Sequence, residues 1–177
     1  MKNFILGVHL YRNKKIGVVL PAYNEETQIA SVVNSIPGFV DEIVIVDDKS
    51  TDNTIDIVNQ LKSKNKKIIL IKHDTNQGCG GALSSGYKFL SNNDCDIAVR
   101  MDADGQMDPK ELSNLIDPII DDNVDYVKGN RFMTGEAYSK IPKVRYFGNA
   151  ILSLFTKIVS GYWHVADSQS GYTACNK

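Results

Sequence analysis

From Lys15 onward, short apolar runs alternate with amphipathic stretches, and the two kinds of segment keep different periods. Ile16-Gly17-Val18-Val19-Leu20 is rich in β-branched residues and lacks polar alternation, which predicts a strand covered on both faces that stops at Pro21. Between Glu26 and Ile36 the apolar positions Ile29, Val32, Val33 and Ile36 fall at helical spacing, and Pro37-Gly38 closes that helix. Glu42 to Val46 predicts a second strand ending at Asp47-Asp48. Ser50 or Thr51 is placed to cap the next helix, whose face is Ile55, Val58 and Leu61. Lys67 to Ile71 is the third strand. A turn, Gly78-Cys79-Gly80-Gly81, then leads into a helix carrying Ala82, Leu83, Tyr87 and Leu90. Ile97 to Met101 is the fourth strand, Pro109 opens a helix holding Leu112, Leu115, Ile116 and Ile119, and Asp125 to Lys128 is a fifth strand. Past Gly129 the pattern is irregular until a helix from Arg145 to Val159.

Strand and helix alternating in this way predict an α/β fold, a mostly parallel sheet with helices on both faces. Ligands of such sheets bind beyond the carboxyl ends of the strands. The segments at those ends are Pro21 to Glu25, Asp47-Asp48, Asn76 to Gly81 and Asp102 to Gln106, so four polar or Gly-rich segments should meet on one rim.

Composition narrows the class. The chain has 177 residues, enough for one domain with a sizeable core, and its apolar fraction of 42% and charged fraction of 23% are ordinary for a globular protein. A net charge of -1 offers no footprint for nucleic acid. Cys79, Cys95 and Cys175 are odd in number and without close ligand spacing, so neither a disulfide framework nor a zinc site follows, and a reducing cytoplasm is the simplest compartment. The apolar stretch Phe4 to Tyr11 is too short for a signal peptide, and no run approaches the roughly 20 apolar residues of a spanning helix. The expected location is cytoplasmic, including the cytoplasmic face of a membrane.

The most informative segment is Arg100-Met101-Asp102-Ala103-Asp104-Gly105-Gln106. Continuing the strand's period of two would turn Asp102 and Asp104 to one side and Ala103 to the other. Oxygen ligands grouped like this suit a hard divalent cation, Mg2+ or Mn2+, with Gln106 as a further neutral oxygen; the structural alternative is an acidic turn. The glycines at 78, 80 and 81 fit neither the dinucleotide fingerprint nor the P-loop and serve the turn before a helix. His9 and His73 carry no assignable chemistry, and His164, beside Tyr162 and Trp163, is either a packing residue or a cation ligand.

Six segments in order carry a resemblance: Val19 to Glu26, Val44 to Asp52, Asn76 to Ala82, Met101 to Gln106, Gly129 to Phe132 and Asp167 to Tyr172. The chain resembles family 2 glycosyltransferases of the GT-A fold, in the branch of polyprenyl-phosphate sugar synthases, over Ile16 to Tyr172. The resemblance implies residues 1–14 as an N-terminal extension and 15–177 as the catalytic domain, shortened at its C-terminus. It implies an inverting transfer of a sugar from a nucleoside diphosphate to a polyprenyl phosphate, beside the alternatives of a saccharide hydroxyl acceptor and an inactive nucleotide-sugar-binding fragment. A sugar-nucleotide pyrophosphorylase would need a Gly-rich basic loop after the first strand, and Pro21 to Glu26 has neither Gly nor Lys.

The same resemblance distributes roles. Pro21, Tyr23, Glu25 and Asp48 would hold the nucleoside, and Asp102 the sugar or the cation. Asp102, Asp104 and Gln106 would form the metal site, with Asp104 the direct ligand. Arg131 would bind the acceptor phosphate with Ser170 as a second contact, and Asp167 would act as base toward a hydroxyl acceptor or, with a phosphate acceptor, as a structural or metal-loop residue. Where the branch carries an arginine after the aromatic residue, this chain has Thr173. The helix from Arg145 to Val159 would either cover the core or touch a membrane surface.

Overall fold

The structure, a computed structural model, describes residues 10–129, 143–161 and 170–177. Among the described residues six strands form one sheet in the order β3-β2-β1-β4-β6-β5, comprising β1 Ile16–Ala22, β2 Glu42–Asp47, β3 Ile68–Lys72, β4 Ile97–Arg100, β5 Tyr126–Lys128 and β6 Thr173–Asn176. The pairs β1–β2, β2–β3 and β1–β4 are parallel, while β6 runs antiparallel between β4 and β5. Helices α1 (Ile29–Ser35), α2 (Thr54–Lys64), α3 (Gly78–Asn92) and α4 (Leu112–Asp121) connect the strands, and α5 (Lys143–Ser160) precedes β6.

Each face of the sheet has its own core. Val18, Leu20, Ile43, Ile45, Ile97 and Val99 pack with Ile29, Val32 and Val33 of α1, Val58 of α2 and Leu112, Leu115 and Ile116 of α4. On the other face Val19, Val44 and Val46 meet Ala82 and Leu90 of α3. This two-sided burial is why the strand sequences show no polar alternation. Helix α3 lies unusually low on β1: a Cβ on Gly86 would overlap Val19 Cγ1, and one on Gly17 would overlap Leu90 Cδ2. Small residues on both partners let the backbones approach.

Several boundaries differ from the sequence reading. β1 does not stop at Pro21 but continues to Ala22, in register with Val46 and Asp47. Val19 turns its carbonyl to Met101 on the β4 side, so Pro21, two residues on, directs its missing donor past the end of the β4 ladder, where no bond is lost. α2 is not capped by Ser50 or Thr51; Asp52 Oδ1 accepts from Thr54 N at 3.0 Å. α1 begins at Ile29 rather than Glu26. Only Gly78, at φ 73°, makes the turn into α3; Gly80 and Gly81 already lie inside the helix. β6 was not anticipated, because Thr173-Ala174-Cys175-Asn176 is too short and mixed to register as an apolar run.

Residues 10–14, read as an extension, pack on the domain. Tyr11 donates to Asp117 Oδ1 at 2.8 Å and stacks near Phe39, and Arg12 pairs with Asp121. Among the described residues no helix is long and apolar enough to cross a membrane.

The close approach of α3 to β1 yields a test. Gly86→Ala should destabilise the fold by about 1–3 kcal/mol through overpacking. Gly80→Ala, whose Cβ would meet open space, should leave stability unchanged or raise it by up to about 1 kcal/mol. Urea unfolding of the two variants measures both, and equal losses would refute the close-packing account.

Candidate active site

A cleft of about 240 Å³ opens at the carboxyl ends of β1, β2 and β4, where the chain order on the sheet reverses direction about β1. Pro21, Tyr23, Glu25, Asp48, Asp102 and Asp104 all line it, with Arg100 and Cys79. Six side chains drawn from three separate stretches of sequence therefore share one wall.

The loops after β1 and β2 are zipped together to present the first three. Asn24 N donates to Ser50 Oγ at 2.9 Å and Asn24 Oδ1 accepts from Thr51 N at 2.8 Å. Glu25 N donates to Thr54 Oγ1 at 2.8 Å, and Glu26 N donates to Asp52 Oδ2 at 3.1 Å. Asn24 adopts φ 57°, a left-handed turn that asparagine tolerates. Tyr23 is left half exposed over the cleft, with a ring available for stacking.

Asp47 and Asp48, adjacent in sequence, point to opposite faces. Asp47 follows the alternation of Ile45, and its Oδ2 accepts from Ser50 N at 3.2 Å, which fixes the loop. Asp48 turns to the α3 face. Its Oδ1 takes His73 Nδ1 at 2.7 Å and Gln77 N at 2.9 Å, and His73 Nε2 meets Ser85 Oγ at 2.9 Å. Burial pushes the Asp48 carboxyl up, but the N–H groups of Gln77 and Gly78 and the His73 imidazole outweigh it, and the group stays below the ordinary aspartate value.

β4 ends at Arg100, so Asp102 and Asp104 stand in a turn rather than on a strand, contrary to the sequence expectation. The alternation nevertheless persists: Met101 and Ala103 enter the core while Asp102 and Asp104 face the cleft. Asp102 is held by Arg100, whose Nε lies 3.1 Å from Oδ1 and Nη2 3.4 Å from Oδ2. Asp104 Oδ1 accepts the backbone N–H of Gln106 at 3.0 Å, a turn that Gly105 permits at φ 74°. The Gln106 side chain is exposed and does not line the cleft.

Glu25 shows the cost of gathering these acids. Burial and then the charges of Asp104, Asp52 and Asp102 lift its carboxyl above the ordinary value. Among the described residues no three His, Cys, Asp or Glu side chains form a ready-made cage. The donor set instead fits a hard cation of the Mg2+ type, which takes one or two carboxylates and completes its shell with phosphate oxygens. Asp102 and Asp104 are the residues that would hold it.

Ser170 is buried and is not among the residues lining the cleft, its Oγ accepting Tyr172 N at 3.4 Å. Gly171 beside it is pressed against the ion pair, since a Cβ there would lie 2.9 Å from Arg100 Nη2 and 3.2 Å from Asp102 Oδ2. Arg131, Asp167 and His164 lie outside the described residues. Sequence reasoning missed Arg100 and His73. Arg100 carried a usable signal, standing two positions before Asp102 at a strand end; His73 carried none, because its partners are 25 and 12 residues away.

A mostly parallel sheet with acids and an arginine at its switch point is an α/β architecture, and it is that of the GT-A fold. Residues 17–177 match the model of Glycosyl transferase family 2, and the chain belongs to that family. It is 40% identical over 178 residues to a UDP-N-acetylglucosamine–dolichyl-phosphate N-acetylglucosaminyltransferase of Methanococcus voltae, covering 93% of this chain and 70% of that protein. It is 27% identical to an undecaprenyl-phosphate mannosyltransferase of Micrococcus luteus, over 90% of this chain and 65% of the relative. Glucosyl-3-phosphoglycerate synthase of Mycobacterium tuberculosis, solved with Mn2+, UDP-glucose and phosphoglyceric acid, superposes with a TM-score of 0.68 at 25% identity. That match covers 93% of this chain and 57% of the solved one.

The raised Glu25 carboxyl sets the sign of a pH effect. Its charged form is disfavoured in the folded state, so it opposes stability above its folded pKa, and the penalty disappears as pH falls through the ordinary glutamate range. Glu25→Gln should raise the metal-free melting temperature at pH 7, with the gain vanishing toward pH 4; an unchanged melting temperature at pH 7 would count against crowding of the acids.

Proposed function

We propose that the chain is the catalytic domain of a metal-dependent, inverting glycosyltransferase that moves a sugar from a nucleoside diphosphate to a polyprenyl phosphate. The observation that carries this reading is the meeting of Pro21, Tyr23, Glu25, Asp48, Asp102 and Asp104 on one cleft. The names of the Methanococcus and Micrococcus relatives support the lipid-phosphate acceptor, and Mn2+ beside UDP-glucose in the solved neighbour supports the cation and donor.

In this reading the nucleoside lies against Pro21 and Tyr23 with Asp48 accepting from it, and the diphosphate points toward Asp102 and Asp104. A bound divalent cation supplies positive charge against the leaving diphosphate. Arg100, the basic side chain among the described lining residues, supplies a fixed positive charge on the same cleft. An oxygen of the acceptor phosphate attacks the anomeric carbon from the side opposite the diphosphate. The new carbon–oxygen bond forms as the old one breaks, and the electron pair leaves with the nucleoside diphosphate. The acceptor phosphate is already an anion near neutral pH, so no general base is required, and Asp167 has no proton to remove. Arg131 holds that phosphate. On α5, Ile151, Leu154, Phe155 and Ile158 are all more than half exposed, an apolar face suited to the membrane surface where such an acceptor resides.

The test is sugar transfer from UDP-N-acetylglucosamine and other UDP- and GDP-sugars, with Mn2+ or Mg2+, to a short polyprenyl phosphate, read by mass spectrometry of the lipid. Metal-dependent formation of a glycosylated lipid phosphate is expected. Transfer only to saccharide hydroxyls would overturn the acceptor, and no transfer from any donor would overturn the enzyme reading.

Asp104→Ala should lower metal-stimulated turnover by at least about a hundredfold, the scale of losing a group that stabilises transition-state charge. Arg131→Ala should raise the acceptor KM by tenfold or more, as expected for a charge-assisted contact worth about 1.5–3 kcal/mol, while changing the donor KM little. Equal rises in both Michaelis constants would indicate damage to the fold.

A further inference from the structure

The strongest unassigned arrangement is the buried line Asp48–His73–Ser85, contributed by the ends of β2 and β3 and by α3. The Asp48 and His73 side chains are 5% and 6% exposed, and the two contacts of the imidazole measure 2.7 and 2.9 Å. A carboxylate offers only acceptors, so His73 Nδ1 must donate to Asp48. Ser85 fixes the far side of the ring, which sets the plane in which that donation is made. Burying both partners this deeply would be wasteful for a loop tether, because the loop is already held by His73 N donating to Asp47 O at 2.9 Å.

The consequence lies in which oxygen is left. Oδ1 receives both His73 and the Gln77 N–H, and the Gly78 N–H also acts on the carboxylate, whereas Oδ2 takes neither of the two short bonds, on a residue that lines the cleft. We propose that His73, braced by Ser85, is a positioning residue that occupies Asp48 Oδ1 and thereby offers the nucleotide a single acceptor, Oδ2. One acceptor matches a base with one ring N–H between carbonyls, as in uracil. Guanine presents two adjacent donors, N1–H and N2–H, and engages a carboxylate fully only when both oxygens are free. The arrangement thus selects uridine over guanosine nucleotides. This inference rests on the proposed role of Asp48 toward the nucleoside.

The experiment is isothermal titration of the whole chain with UDP and with GDP, each with Mn2+, comparing the wild type, H73N, H73Q and S85A. Asparagine places its amide N–H where Nδ1 stands, so H73N keeps the donor to Asp48. Glutamine carries its amide to the Nε2 position and leaves Oδ1 unoccupied by the side chain. UDP should bind the wild type at least about tenfold more tightly than GDP. H73N should keep that ratio within about threefold, H73Q should bring it near one, and S85A should lower it in part. Because H73N and H73Q are both polar and uncharged, a loss common to the two overturns the positioning role. An unchanged ratio in H73Q does the same. Equal wild-type affinity for UDP and GDP overturns the single-acceptor argument while leaving the donor class standing, and a wild type that binds neither nucleotide overturns the nucleotide reading beneath it.

Discussion

Glu25, Asp48, Asp102 and Asp104 stand on one cleft, and like charges gathered at the mouth of a low-dielectric core repel unless each is answered. Three of them are. Asp48 is met by His73 and the N–H groups of the turn into α3, Asp102 by the guanidinium of Arg100, and Asp104 by the backbone of Gln106. Among the described residues Glu25 makes no such side-chain bond, and burial first and the neighbouring acids second raise its carboxyl. A divalent cation held by Asp102 and Asp104 would offset part of that negative charge.

The scaffold serves that charge arrangement through close packing on one side and a loop zipper on the other. Helix α3 rests on β1 with the Leu90 side chain against Gly17 and the Val19 side chain against Gly86, and this sets Ser85, one residue before Gly86, within reach of His73. On the opposite side Ser50, Thr51, Asp52 and Thr54 bond the loop that carries Tyr23 and Glu25. These polar residues lie where helix caps would be sought, yet they tie two loops together. A change in either support would shift several lining residues at once, so stability and ligand binding are linked at this rim.

The alternation of β-branched runs and amphipathic stretches made the parallel half of the sheet readable, because burial on both faces leaves a strand no reason to alternate. The rim acids were readable for a related cause: polar residues directly after an apolar strand of a parallel sheet have one place to go. What the pattern could not show was β6. Its four residues are held by antiparallel partners on both sides, Ile97 to Arg100 and Tyr126 to Lys128, and so do not depend on a run of their own. The helix cap was misread because Ser50 and Thr51 are drawn to Asn24, a partner 26 or 27 residues distant.

By itself the chain determined the fold class, the family and six residues of the cleft, since each follows from local order: the period of a segment, the residue after a strand, the sequence of motifs. Tertiary structure alone decided which side chain answers Asp48 and which answers Asp102. That choice depends on Arg100, His73 and Ser85 arriving from separate elements at bonding distance, and linear spacing carries no record of such meetings.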